Sequence, residues 1–330
     1  MIDNYNRNIN YLRISVTDRC NLRCRYCMPK EGLSTLGHED ILSYEEILRI
    51  VAVTVRMGVS KVRITGGEPL VRRGVVDFIA RLSSLPGLRD ISLTTNGILL
   101  ENFASALFNA GIKRINISLD SLEAAKYARI TRGGDLKAVL RGIEAAQREG
   151  FHPIKINAVV IKDVNDDEIL DFAALTLNNQ FQIRFIELMP MGRAGSGYEE
   201  KYVSNDVIWE RINKYYPLKP VSAVNNNTDG PARMYRIASG LGEIGFISPI
   251  SHHFCDVCNR LRLTADGKLR ACLLRDKEAS LREALRGGCS DEQLQELINF
   301  VVADKPRQHE IGRDESHIRK CVKEMSSLGG

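Results

Sequence analysis

Aliphatic and β-branched runs alternate along the first two thirds of the chain with stretches whose apolar positions recur at helical spacing. The runs predict strands at residues 12–17, 61–65, 91–95, 114–119, 154–161 and 183–188, and the stretches predict helices at 44–57, 75–85, 102–109, 137–148 and 168–177. Repeated strand–helix units form parallel sheets with right-handed crossovers. Six units are too few to close an eight-fold barrel. We therefore expect an α/β fold, a partial (βα)6 TIM-like barrel, with a doubly wound sheet as the alternative.

The pattern changes after Pro190. It predicts a glycine-rich loop at 191–197, a helix at 201–216 with Ser204 as an inner cap, a polar turn at 225–231 and short strands at 234–237 and 243–247. Asp266-Gly267 is a strong turn signal and predicts a hairpin of residues 260–264 and 269–273. Helices near 281–285 and 291–302 end the chain. We expect a barrel over 1–199 and a smaller α+β region over 200–330.

Charge and hydropathy exclude two classes of protein. The net charge is +5, from 46 basic and 41 acidic residues, which is too mild to indicate a nucleic-acid binder. No apolar run approaches the ~20 residues that span a bilayer, and the polar first ten residues do not form a secretory signal. We expect a cytoplasmic protein without a membrane partner.

Six of the eight cysteines fall into two triplets. Thiols clustered in a cytosolic protein indicate metal binding rather than disulfides. Cys289 and Cys321 stand apart, and we expect them to be free thiols without a special role.

The first triplet, Cys20, Cys24 and Cys27, follows the first predicted strand, at the end of a barrel where catalytic loops gather. Three thiolates suit iron or zinc. Cluster ligands are commonly four cysteines, so a cluster held by three would have one open iron. A zinc site completed by His38 is the alternative, although its spacing is unusual.

The second triplet is Cys255, Cys258 and Cys272, and the predicted hairpin can fold the last thiol back beside the pair. From spacing alone, an iron–sulfur cluster, a redox-active pair and a zinc site with His252 or His253 all stay open.

The first triplet, with Tyr26 inside it, resembles the radical S-adenosylmethionine (SAM) superfamily. Residues 65–69, Thr-Gly-Gly-Glu-Pro, resemble the segment that meets the amino group of SAM in that superfamily. Glycines permit close backbone approach, and an acidic side chain such as Glu68 can bind an ammonium. The resemblance implies that an open iron chelates SAM, and that one electron splits it to a 5′-deoxyadenosyl radical.

Most of the chain resembles the GTP 3′,8-cyclase family. The segments that carry the resemblance are 15–20, 28–32, 94–97, 116–122, 184–190, 242–251, 254–267 and the closing Gly329-Gly330. Departures are small: Asp163 stands where the family often has glycine, and Leu328 where it often has isoleucine.

This resemblance implies two 4Fe–4S clusters, SAM, and GTP as the substrate. The radical would remove hydrogen from ribose C3′, and C3′ would bond to guanine C8. The product would be (8S)-3′,8-cyclo-7,8-dihydroguanosine 5′-triphosphate, in the first step of molybdenum cofactor biosynthesis. The family also implies an electron donor, cyclic pyranopterin monophosphate synthase as the downstream enzyme, and a possible homodimer.

The resemblance assigns site residues position by position. Cys20, Cys24 and Cys27 would bind the first cluster and Cys255, Cys258 and Cys272 the second; Tyr26, Gly67, Ser118 and Met189 would contact SAM; and Arg13, Arg63, Thr94, Lys155, Arg260, Leu261 and Arg262 would hold GTP, with Arg13, Arg260 and Arg262 also catalytic. The terminal glycines would form a flexible tail that reaches the site.

The residues themselves support part of this assignment. Arg260 and Arg262 are two apart, so both point to one side of a strand. An inward-facing arginine is costly unless it meets an anion. The alternatives are a radical SAM enzyme that modifies peptides, which should need a peptide-recognition module, and a non-catalytic zinc protein, which leaves the SAM-like segments unexplained.

Overall fold

A computed structural model describes residues 1–192, 197–221, 230–309, 311 and 321–329. Parts of two predicted segments, the loop at 191–197 and the turn at 225–231, lie outside these residues, as does Gly330.

Strands of the described residues form one twelve-stranded sheet. They are β1 Tyr11–Ser15, β2 Lys61–Thr65, β3 Asp90–Thr95, β4 Ile115–Ser118, β5 Ile154–Val160, β6 Gln182–Glu187, β7 Leu218–Pro220, β8 Arg233–Ile237, β9 Glu243–Ile247, β10 Arg260–Leu263, β11 Lys268–Arg270 and β12 Ala279–Ser280. Their order is β12-β11-β10-β1-β2-β3-β4-β5-β6-β9-β8-β7.

Strands β1 to β6 are parallel and lie side by side in chain order. A doubly wound sheet reverses its order at the middle, so the open, partial barrel is confirmed. The later strands extend this same sheet at both edges, where β10 pairs with β1 and β9 with β6, again in parallel. The predicted hairpin is present as β10 and β11.

Most helices lie between strands in sequence, and the last three follow the final strand. They are α1 Tyr44–Arg56, α2 Val75–Ser83, α3 Leu100–Asn109, α4 Ala124–Thr131, α5 Leu136–Arg148, α6 Ile169–Asn178, α7 Tyr198–Lys201, α8 Asn205–Tyr215, α9 Leu281–Arg286, α10 Asp291–Ala303 and α11 Met325–Leu328. The helix predicted at 201–216 is wrong in one respect. Residues 202–204 are not helical and separate α7 from α8. Ser204 is the N-cap of α8, and its side chain accepts a hydrogen bond from Val207 N. In the part of the chain described here, no helix is long and apolar enough to cross a bilayer.

Alternation along β1 separates the core from the site. Leu12 and Ile14 are fully buried in the hydrophobic core, whereas Tyr11 and Arg13 line a cavity on the other face of the sheet. This period of two holds for a parallel strand that is covered on both faces.

Asp163, one of the two departures noted above, has a φ of +58°, in the left-handed region that favours glycine. Its backbone N–H donates to Asp166 Oδ1 at 2.8 Å. The local hydrogen bond helps to hold a conformation that aspartate tolerates better than most residues.

Candidate active site

One cavity of about 310 Å³ opens inside the barrel, and both cysteine triplets line it. Its remaining walls come from the carboxyl ends of the parallel strands, the hairpin and the C-terminal segment. Triplets that are more than two hundred residues apart in sequence therefore share one chamber.

The loop that carries the first triplet is held by close backbone contact with Gly66 and Gly67. Gly67 N donates to Thr17 O at 2.7 Å, and Glu68 N donates to Arg19 O at 2.8 Å. A Cβ on Gly67 would lie 2.2 Å from Arg19 O, so no side chain fits there. The close approach expected of these glycines is thus an approach to the cluster loop.

Glu68 is occupied by the protein itself. The carboxylate accepts hydrogen bonds from Leu70 N at 3.1 Å, Thr95 Oγ1 at 2.8 Å and Asn96 N at 2.7 Å. Burial raises its pKa to about 7, while these donors oppose the shift. From the sequence, Glu68 was expected to bind an ammonium. In the structure its carboxylate forms hydrogen bonds that link the ends of β2 and β3.

The first triplet lies in acidic, buried surroundings. Burial raises the pKa of Cys24 well above its usual value, and Asp120 adds to the effect. Burial likewise raises the pKa of Cys27 to about 12, with Cys20 and Glu324 adding negative charge nearby. Thiols placed in this way become thiolates only beside a compensating cation, as metal coordination supplies.

Tyr26 and Asp120 fix the loop from the other side. Tyr26 Oη donates to Asp120 Oδ2 at 2.7 Å, and Asp120 Oδ1 accepts from Val159 N at 2.9 Å. Asn165 Nδ2 donates to the backbone carbonyl of Asp120 at 2.7 Å. Ser118, at the end of β4, and Met189, after β6, complete this side of the cavity together with Gly67.

The second triplet lies in basic surroundings. Burial alone would raise the pKa of the Cys258 thiol, but Arg260 and Lys305 lower it to about 6. Cys255 lies next to Arg7, whose Nη1 donates to the Cys255 carbonyl at 2.8 Å. The two triplets therefore differ in the sign of the charge around them.

His38 and His252 do not line the cavity, so zinc completed by either receives no support, whereas His253 lines it with the second triplet. His252 Nε2 is hydrogen-bonded to Asp206 Oδ2 at 2.7 Å rather than turned to the thiols. Within the described ranges, no three cysteine, histidine or carboxylate side chains gather closely enough to hold a single metal ion. Among the described residues no fourth cysteine lines the cavity beside either triplet. Three thiols around an open space fit a cluster with one free iron.

A group of cations also lines the cavity, where the structure brings Arg13, Arg63, Arg260 and Arg262 together. Burial lowers the pKa of Arg63 to about 9, although Tyr11 opposes the shift. Arg13 Nε is buried and has no hydrogen-bond partner among the described residues. An excess of buried cations with an unused donor fits an anionic ligand.

The other predicted substrate contacts are arranged less uniformly. Thr94 lines the cavity, and its buried hydroxyl has no partner among the described residues. Lys155 does not line the cavity; it lies on β5, one step below the cavity residue Asn157 on the same face. Burial, followed by Arg184 and other cations, lowers the Lys155 pKa to about 6. The side chain of Leu261 lies in the hydrophobic core, so only its backbone faces the arginines.

The C-terminal segment enters the cavity. Arg262 Nη1 donates to Gly329 O at 3.0 Å, and Met325 and Ser326 line the cavity beside the first triplet. Gly329 has a φ of +71°, and a Cβ there would lie 2.4 Å from Thr65 Oγ1. The tail predicted to reach the site therefore reaches it with its first glycine.

Sequence reasoning missed several cavity residues. They include Tyr11, Asn96, Asp120, Asn157, Arg184 and Phe254. Two of them could have been found from the strand period, because residues two apart on a strand point to the same face. Tyr11 lies two positions before Arg13, and Asn157 lies two positions after Lys155.

Curated relatives match the chain from end to end. GTP 3′,8-cyclase of Thermodesulfovibrio yellowstonii is 51% identical over 332 residues and GTP 3′,8-cyclase of Moorella thermoacetica is 49% identical over 330 residues, each covering 100% of both chains. The chain belongs to the GTP 3′,8-cyclase family. Residues 14–176 match the Radical SAM superfamily, and residues 181–311 match Molybdenum Cofactor Synthesis C.

Membership in the GTP 3′,8-cyclase family makes this chain a radical SAM enzyme of molybdenum cofactor biosynthesis and implies 4Fe–4S clusters and SAM as its cofactors. Among solved structures, Streptococcus suis SuiB bound to precursor peptide SuiA gives a TM-score of 0.59 at 14% identity, covering 91% of this chain and 66% of that one. SuiB bound to S-adenosylmethionine gives 0.55 at 14%, with 92% and 77% covered. These likenesses show the fold alone.

Proposed function

We propose that this enzyme converts GTP to (8S)-3′,8-cyclo-7,8-dihydroguanosine 5′-triphosphate inside the cavity that both triplets line. The observation that carries the proposal is the pairing, in one chamber, of two three-thiol sites with a wall of buried and half-buried arginines. Each part has its use: an open iron for SAM, a second open iron for guanine, and cations for the triphosphate.

The first triplet and its neighbours would hold SAM. Cys20, Cys24 and Cys27 would ligate the first cluster, and Tyr26, Gly67, Ser118 and Met189 would contact the cofactor. Reductive cleavage of SAM there would supply the 5′-deoxyadenosyl radical that removes hydrogen from ribose C3′. The protein's part would be to orient the two ligands and exclude water.

The second triplet and the arginine wall would hold GTP. Cys255, Cys258 and Cys272 would ligate the second cluster. Arg13, Arg63, Thr94, Lys155, Arg260, Leu261 and Arg262 would bind GTP, Leu261 through its backbone. Arg13, Arg260 and Arg262 would also act on the reacting nucleotide, since guanidinium groups stabilise negative charge as it develops.

The proposal extends to organisation and partners. The chain would divide into a SAM-binding barrel over 1–199 and a second region over 200–330 with the auxiliary cluster. An external electron donor would reduce the clusters, and cyclic pyranopterin monophosphate synthase would take the product. A homodimer and a cytoplasmic location complete it.

The test is anaerobic reconstitution with iron and sulfide, followed by incubation with SAM, dithionite and GTP carrying deuterium at C3′. We expect deuterium in 5′-deoxyadenosine and a cyclised product of GTP mass by mass spectrometry. ATP serves as the control nucleotide and should give no cyclised product. Cleavage of SAM without conversion of GTP would contradict the proposed substrate.

A further inference from the structure

Lys305 is a buried lysine beside the second triplet. It follows α10 and is only 3% exposed. Its Nζ donates to Arg260 O at 2.9 Å and to Ala271 O at 2.5 Å. Arg260 is two residues after Cys258, and Ala271 directly precedes Cys272. One ammonium therefore joins the backbone next to two of the three thiols.

Among the described residues, no carboxylate pairs with this ammonium. In the part of the chain that the structure describes, Lys305 forms no ion pair, whereas the buried Arg7 nearby is paired with Asp3 at 2.6 Å. Carbonyl oxygens satisfy the hydrogen bonds of an ammonium but leave its net charge in place, and an unbalanced buried charge is costly. Burial lowers the pKa of Lys305, and the acidic groups that it faces, the thiols of Cys258 and Cys272, oppose this shift and favour its charged form.

We infer that Lys305 is a positioning residue for the second cluster. Lys305 holds Cys258 and Cys272 at ligand spacing, and its fixed positive charge favours the reduced cluster. The inference rests on the proposed function, since it takes the second triplet to be a cluster site.

The electrostatic effect has a definite sign. A cluster held by thiolates carries net negative charge, and reduction adds more. A fixed cation nearby stabilises the reduced form most, so its loss makes the cluster harder to reduce. The hydrogen bonds to the Arg260 and Ala271 carbonyls are separable from this effect of the charge, because an uncharged donor at position 305 can still make one of them.

Two variants separate charge from position. Lys305→Gln keeps a hydrogen-bond donor without the charge, and Lys305→Met removes both. They are made in the full chain carrying Cys20→Ala, Cys24→Ala and Cys27→Ala, so that only the second cluster is reconstituted. Iron content and potentiometric titration followed by electron paramagnetic resonance are the readouts, and neither uses GTP.

We expect Lys305→Gln to disfavour reduction about tenfold, which is about 59 mV for a one-electron couple. Lys305→Arg should keep the parent potential. Lys305→Met should retain less than half of the iron of the parent. The control is Lys277→Gln, because Lys277 is about half exposed and pairs with Asp304, the residue before Lys305; it should change neither readout.

An unchanged potential in Lys305→Gln with the cluster bound would overturn the charge effect, and full iron retention in Lys305→Met would overturn the positioning effect. Loss of the cluster from Lys305→Gln, with unchanged circular dichroism, would mean that the charge of Lys305 is needed to hold the cluster, which would overturn positioning through its hydrogen bonds. Absence of iron from the parent itself would instead refute the cluster assignment in the proposed function.

Discussion

Replacing Gly67 with alanine should displace the loop that carries the first triplet. The new Cβ would lie 2.2 Å from Arg19 O and 2.8 Å from Asp18 O, both backbone atoms that cannot rotate away. Moving Arg19 O out to 3.0 Å, the shortest distance that real Cβ atoms show, requires a shift of 0.8 Å, which is 3.0 minus 2.2.

Such a shift breaks or weakens two backbone hydrogen bonds, Gly67 N to Thr17 O at 2.7 Å and Glu68 N to Arg19 O at 2.8 Å. At about 1 kcal/mol each, the cost is about 2 kcal/mol, or roughly 30-fold in an equilibrium between placed and displaced loop. We expect Gly67→Ala to lower iron binding by the first triplet and SAM cleavage by about this factor.

The assay is iron per chain in a background that carries Cys255→Ala, Cys258→Ala and Cys272→Ala, together with 5′-deoxyadenosine formed per minute in the otherwise unaltered enzyme. Gly287→Ala is the control, since Gly287 is exposed and the new Cβ would lie 3.1 Å from Glu283 O, beyond the 3.0 Å limit. Full iron binding and undiminished SAM cleavage by Gly67→Ala would refute the reasoning.

Four further predictions follow from the site. Lys155 has a pKa of about 6 in the free protein, and the anionic GTP should raise that pKa, so that binding takes up about one proton near pH 8. Calorimetry in buffers of different ionisation enthalpy measures the proton uptake, and the same uptake by Lys155→Met would contradict the prediction. The same depressed pKa means that the unfolded chain holds this proton between about pH 6 and pH 10, so unfolding free energy should rise with pH there, and less so in Lys155→Met. Tyr26→Phe removes a charged hydrogen bond to buried Asp120 and should cost about 2 kcal/mol in urea unfolding of the apo-protein, with exposed Tyr5→Phe as control; equal midpoints would count against it. Deleting the last two residues removes the Gly329 carbonyl that Arg262 binds and should lower GTP turnover while iron content stays unchanged; full turnover would reject a role for the tail.

Local signals predicted the local structure well. Ser43 and Glu46, spaced three residues apart at the start of α1, have the sequence pattern of a capping box and form one, with Glu46 N donating to Ser43 Oγ at 3.1 Å and Ser43 N donating to Glu46 Oε2 at 2.7 Å. The hairpin likewise follows from the Asp-Gly turn. In both cases the residues that interact lie within a few positions of each other, so the sequence contains the whole cause.

The pairing of β10 with β1 has no such local cause. Tyr11 pairs with Arg260, far away in the chain, and only the closing of the sheet brings them together. This pairing puts Arg13 directly beside Arg262, which explains why the arginine wall is continuous. Family resemblance identified the arginines of that wall, and the strand period predicted which face of the strand they point to. Which arginines lie side by side could be learned only from the fold.

Lys305 illustrates the remaining gap. In the sequence it is one lysine after a helix, with no motif around it. The role proposed for Lys305 rests on its burial and on its hydrogen bonds to the carbonyls of Arg260 and Ala271, which lie 45 and 34 positions away. Side chains that act through such distant contacts carry no spacing signal, so only coordinates could identify them.

The position of Gly329 also bears on how this enzyme can be handled. Its carbonyl is bound by Arg262, and a Cβ on it would lie 2.4 Å from Thr65 Oγ1 and 3.0 Å from Ser15 Cβ, so there is no room for a side chain. The opposite terminus is engaged as well, because the Met1 ammonium donates to Met57 O at 3.0 Å. A purification tag fused to the C-terminus would begin one residue after the carbonyl that Arg262 binds, whereas one fused to the N-terminus would remove the ammonium that donates to Met57 O. Removable tags, cleaved before assay, suit this architecture best.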